Sequence, residues 1–134
     1  MQTKHVLGAA EANRILAAAR AEAERNSWPV AIAVVDDGGH PLAFARLDGT
    51  APIGAYIAQE KARTAALGRR ETQQYEDMIN GGRNAFLSAP VAVSLGGGVP
   101  VIVEGQVVGA VGVSGMKPNE DAQIAKAGVS GLAA

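Results

Sequence analysis

"VAIAVVDDGGHPLAFARLD", residues 30–48, decides between a parallel and an antiparallel sheet. Two β-rich runs, 30–36 and 40–48, are separated only by Asp37-Gly38-Gly39, where glycine supplies the positive φ of a tight turn. A parallel partner needs a crossover of about a dozen residues, so this segment reads as an antiparallel hairpin. Its first run is apolar at every position before Asp36, which implies that protein covers both of its faces.

Upstream of the hairpin, "GAAEANRILAAARAEAERN" (8–26) places Ile15, Leu16, Ala19 and Ala23 on one stripe and Arg14, Arg20, Glu22 and Glu24 off it. That is an amphipathic helix, stopped at Trp28-Pro29 because the residue before proline avoids helical ψ. Downstream, Pro52 opens a second helix with a stripe of Ala55, Ala58, Ala62, Ala65 and Ala66, ending near Gly68. "ETQQYEDMINGGRNAF" (71–86) reads as a short helix and a loop. After Pro90 come three further strand patterns, 91–95, 99–104 and 106–115, the last two joined by a Glu104-Gly105 turn. A final helix is expected over 119–127, stopped by Gly128 as its C′ glycine. The expectation is an α+β fold, one domain over 1–134, with five antiparallel strands and helices packed on the sheet.

The chain is 48% apolar, but the share leans on Ala, Val and Gly, and aromatics make up 4%, so the core is packed from small residues. Such a core leaves apolar surface to hide between identical subunits, which points to a homo-oligomer. Twelve basic against thirteen acidic residues, without a Lys/Arg-rich run, argue against a nucleic-acid partner. With no cysteine, disulfides, thiolate nucleophiles and Cys-based metal sites are excluded. No apolar run approaches a membrane span, and Glu11 and Arg14 interrupt any signal-peptide stretch. The expected location is the cytoplasm, for a chain from which no leader has been removed.

Four blocks in register, "VAIAVVDDGGHPLAFARLDG" (30–49), "AQEKARTAA" (58–66), "GGGVPV" (96–101) and "GQVVGAVGVSG" (105–115), with Glu120-Asp121 beyond them, resemble the GlcG/HbpS family of haem-binding-type domains. That family also supplies the C-terminal part of PduO-like proteins. The resemblance implies a profilin-like fold on a five-stranded antiparallel sheet, assembly as dimers to octamers, and the haem or iron binding of some members. The chain departs from the family where "SGG" is replaced by "SGMKPNED", which puts Met116, Lys117 and Pro118 at the mouth of any pocket there.

Several residues are candidates for chemistry. At Ser114-Gly115 a strand gives way to a helix whose free N–H groups favour anions, and Gly97 and Gly98 permit a second backbone segment to approach. Glu120 and Asp121 are acid–base candidates there, or only dipole partners of a helix that Asn119 caps. Lys61, on the alanine-striped helix, either grips a ligand carboxylate, acts as a base, or pairs with Asp36 or Asp48. Arg46 and Asp48 follow the strand "LAFA", where Arg46 either clamps a carboxylate or bridges to Asp36. His5 is a candidate axial haem ligand, with Met116 or Tyr75 as haem contacts; both His5 and His40 also read as solvated. No other metal site is indicated.

Two functions follow. One is a small-ligand-binding oligomer taking haem or another anionic ring compound. The other is an enzyme of hydrolase, tautomerase or lyase type acting on a small hydroxylated dicarboxylic acid, such as an aromatic ring-cleavage product. In it Lys61 and Arg46 hold carboxylates while Glu120 or Asp121 moves a proton.

Overall fold

The computed structural model describes residues 1–91 and 93–133. Helix α1 (Ala9–Arg25) leads into the hairpin β1 (Ala31–Asp36) and β2 (Pro41–Arg46). Helices α2 (Ile53–Gly68) and α3 (Thr72–Asn80) follow, then a 3-10 turn at Asn84–Ser88. The hairpin β3 (Gly98–Val103) and β4 (Gln106–Ser114) precedes helix α4 (Pro118–Ser130). The described strands form one antiparallel sheet in the order β2-β1-β4-β3.

Two hairpins thus meet along β1 and β4, the pair that has neighbours on both sides. Ala31 lies opposite Ser114 and Asp36 opposite Gly109. As the unbroken apolar run requires, Ala31–Val35 are all buried. Period-two alternation divides them: Ile32 and Val34 face α1 and α4, whereas Ala31, Ala33 and Val35 face α2. The α1 side holds the large side chains, with Ile15, Ile32 and Ile124 inaccessible to solvent. Each such burial contributes roughly 1.5–3 kcal/mol. The α2 side is built almost entirely of alanine, with Ala58, Ala62, Ala65 and Ala66 against Ala31, Ala33 and Ala110. This helix therefore lies close to the sheet, and Gly112 is the reason it can. A Cβ at Gly112 would run into the carbonyl of Ala58 and the amide of Ala62.

Three expectations are corrected. The sheet has four strands, not five: none of the described residues of 91–95 is in a strand, and Ala92 lies outside the described residues. Glu76 accepts a hydrogen bond from the Gly96 N–H at 2.8 Å, which ties the end of that run to α3. Val91, Ser94 and Leu95 line a cleft with Ile79 instead of pairing with β3. The last helix also runs past Gly128 to Ser130. Gly128 is a contact glycine, since a Cβ there would stand 3.0 Å from Ala19 Cβ and 3.1 Å from the Ile15 carbonyl of α1. Finally, simple alternation along 40–48 puts Arg46 on the side of both Leu42 and Phe44, but it shares a face only with Phe44. The register slips between Val34 and Val35, so Leu42 packs on the α1 side while Arg46 follows Phe44 on the other. The sheet's two edge strands, β2 and β3, each carry a proline, Pro41 and Pro100.

Candidate functional site

The corner singled out by sequence, where β4 passes into α4, is closed by the chain's own charges. Asp121, in the first turn of α4, is 1% exposed, and Lys61, reaching from α2, is 3% exposed. Lys61 Nζ donates to Asp121 Oδ2 at 3.1 Å and to the Val113 carbonyl of β4 at 2.9 Å. Asp121 Oδ1 accepts from the Met116 N–H at 2.9 Å. The partner of Lys61 is thus Asp121, and neither Asp36 nor Asp48. Burial pushes the Asp121 carboxyl above its usual range, opposed by the Lys61 ammonium and the amides of Met116 and Gly115.

The glycines that were to admit a ligand admit the protein itself. Gly97, at φ 123°, lies where a Cβ would stand 2.8 Å from Lys61 Nζ and 2.7 Å from the Val113 carbonyl. The Gly98 N–H donates to Thr72 Oγ1 at 2.8 Å, a buried partner that the sequence reading missed. Gly115, at φ 149°, passes tightly over Pro29 and Val30. Ser114 pairs with Ala31 at the end of β4, and Met116 is half-buried against the α1 side of the core. Glu120 accepts from the Lys117 N–H at 3.2 Å and so caps the start of α4. An amide already bonded to Asp121 or Glu120 is not free for an external anion. The structure thus brings together in one corner the residues expected in acid–base roles, Lys61, Glu120 and Asp121, and those expected to bind a ligand, Gly97, Gly98, Ser114, Gly115 and Met116, and there the chain's own groups are bonded to one another.

Arg46 and Asp48 are placed differently. Both are exposed and, among the described residues, neither makes an ion pair. They line a groove of about 540 Å³ whose other walls include Arg20 and Glu24 of α1 and Trp28, Pro29 and Gly49. The fold brings these together because β2 runs antiparallel to β1, which returns Arg46 to Ala31 and hence to the end of α1. Arg20 and Trp28 were read only as a polar helix position and a helix stop; the antiparallel register was the signal that linked them to Arg46. Arg20 bonds Glu24 at 2.7 Å, an exposed pair that a stronger anion can replace.

His5 lies at the other end of the strands. It lines a smaller crevice of about 260 Å³ with Val6, Leu7, Val103, Val108 and Leu132, and its Nε2 is 3.5 Å from Glu104. His40 stacks back on its own turn, its Nδ1 3.1 Å from Asp36 Oδ1. Tyr75 is buried, with its ring centroid 5.5 Å from that of Phe86. No group of three His, Cys, Asp or Glu side chains able to hold a metal occurs among the described residues. No described helix is long and apolar enough to cross a membrane.

Known proteins share this architecture. Protein GlcG of Escherichia coli strain K12 is 62% identical over 114 residues, 85% of each chain. The crystal structure of Klebsiella pneumoniae protein ORFY superposes with a TM-score of 0.91 at 29% identity, covering 100% of this chain and 95% of that one. The crystal structure of HbpS superposes with a TM-score of 0.87 at 30% identity, covering 97% and 92%. Residues 7–130 match the family described as haem degrading protein HbpS-like. A sheet of two hairpins between an Ala-faced helix and a helix pair is thus accompanied by sequence agreement over most of the chain, and the protein belongs to the HbpS-like family.

Proposed function

We propose that this protein binds a small anionic ring compound, with haem as the first candidate, in the groove between α1 and the end of β2. The observation that carries the reading is Arg46: an exposed arginine without an ion pair among the described residues, which lines, with Arg20, a groove walled by Trp28 and Pro29. About 540 Å³ is within the range of about 300–1,000 Å³ typical of small-molecule sites. Two guanidinium groups suit a pair of ring carboxylates, and the indole offers an apolar flank to the ring. The family's haem description supports the same ligand class.

The residues fit the carboxylates of haem but not its iron. The groove contains no His, Met, Cys or Tyr, and His5 lies in the separate crevice at the opposite end of the strands. Binding therefore runs through carboxylates and ring faces. The acid–base reading has no comparable support, because Lys61 and Asp121 are buried and committed to each other. The same reading has the protein working as a homo-oligomer, supported by the exposed Ile53, Tyr56, Leu67 and Leu87.

The test is a titration with haem and, separately, with metal-free protoporphyrin. Both are expected to bind, with affinities within a few-fold of each other. Arg46→Ala is expected to weaken both by roughly tenfold or more, the loss of a charge-assisted pair. His5→Ala is expected to change neither. Loss of the haem band in His5→Ala with retention in Arg46→Ala would overturn the groove in favour of the crevice.

A further inference from the structure

The outer face of α2 carries a seam that its position in the fold does not use. One side of this helix is spent on the sheet through Ala58, Ala62, Ala65 and Ala66. On the other side Ile53, Tyr56, Glu60, Arg63 and Leu67 recur at alternating steps of three and four residues, the spacing of the a and d positions of a coiled coil. Ile53 is 64% exposed, Tyr56 73% and Leu67 49%. Three large apolar side chains on an α-helical stripe normally face protein.

The two charged members say which protein. In an antiparallel pairing of two copies of α2, with the two-fold axis between residues 61 and 62, residues equidistant from the axis meet. Tyr56 then lies opposite Leu67 of the second copy, and Glu60 opposite Arg63 of the second copy, with both contacts repeated by symmetry. This is the a-against-d matching of an antiparallel coiled coil. A parallel pairing would set Glu60 against Glu60 and Arg63 against Arg63. Within one chain the Glu60–Arg63 contact is long, 3.6 Å from Nη1 to Oε1, and Glu60 Oε2 is covered without a hydrogen-bond partner. Arg63 is held in place because its stem lies over Gly39 in the β1–β2 turn. Sequence, exposure and charge order together make the stripe self-complementary.

We infer that α2 is the contact helix of a two-fold dimer of this chain, its seam formed by Tyr56, Glu60, Arg63 and Leu67 in antiparallel register, with Ile53 at its end opposite residue 70 of the second copy. The inference rests on the homo-oligomer reading and names its surface.

The test is the mass of the purified chain by sedimentation at a series of concentrations. Glu60→Arg and Arg63→Glu are each expected to raise the dimer dissociation constant by about tenfold or more, and the double exchange to restore it. Tyr56→Cys with Leu67→Cys, in a chain without other cysteine, is expected to give a covalent dimer on oxidation. The two positions are eleven residues apart, about 16 Å along one helix, so they cannot bridge within one copy. A monomer at every concentration would overturn both the oligomer reading and the seam. An oligomer that ignores the charge exchanges and gives no cross-link would overturn the seam alone.

Discussion

Removing the carboxyl of Asp121 is the sharpest perturbation of the closed corner. Asp121→Asn leaves the Lys61 ammonium, 4% exposed as a side chain, facing a neutral amide with only the Val113 carbonyl as a strong acceptor. Breaking one half of a buried pair in this way costs about 3–5 kcal/mol. For a chain of this length that corresponds to a fall of roughly 10–20 °C in Tm. Lys61→Met leaves a carboxyl that burial already pushes toward its protonated form. A carboxyl whose folded pKa is raised above 3.8 stabilises fully below that value, and the contribution is lost as pH rises through the folded pKa. Lys61→Met is therefore expected to be least destabilised near pH 4 and increasingly so toward pH 8, more steeply than the parent. The double variant removes both charges and keeps an acceptor for the Met116 amide, so it is expected within about 2 kcal/mol of the parent. Urea denaturation at constant m-value reads all four proteins. If Asp121→Asn costs less than about 1 kcal/mol, or the two single losses simply add in the double variant, the pair is not coupled and the reasoning fails.

Gly112→Ala is expected to cost about 1–3 kcal/mol or more by lifting α2 off the sheet, which thermal unfolding checks directly. Gly128→Ala should destabilise despite alanine's advantage of about 1 kcal/mol in a helix, because the new Cβ meets Ala19 and the Ile15 carbonyl; equal or higher Tm would refute the close α1–α4 contact. Glu22 is held at about 2 by hydrogen bonds from the Gln123 side chain first, and then Arg25 and Asn26. Its contribution is present above pH 4.5 and lost as pH falls toward 2. NMR titration should show Glu22 moving up toward the ordinary carboxylate range in Gln123→Ala. Glu120→Ala removes only a cap and is expected to cost about 1 kcal/mol without changing ligand affinity in the titration above.

The hairpin of residues 31–46 was legible because both signals it needs are local: an apolar run and a glycine turn. The alanine stripe of α2 was legible for the same reason, through its helical period. The run 91–95 misled because a short apolar segment has a strand's composition without a strand's partner, and only the tie from Gly96 to Glu76 decides it. Lys61 was singled out as a cation that grips a ligand carboxylate, acts as a base or pairs with Asp36 or Asp48; the partner the structure gives it, Asp121, lies 60 positions away. Arg46 as a groove residue was hidden in a similar way: Arg20 and Trp28 join it through strand register, which composition does not encode. A free amide at a helix start is visible in sequence only as a cap motif, and that motif does not say whether the chain or a ligand accepts from it.

Pro41 and Pro100 stand in the two strands that border the sheet, and both lack an amide hydrogen. A neighbour trying to extend the sheet laterally finds its ladder interrupted on either flank. Copies of this chain are thereby steered away from open-ended stacking into fibres. The same two imino acids guard the chain while it folds, when unpaired borders are most exposed to their own kind.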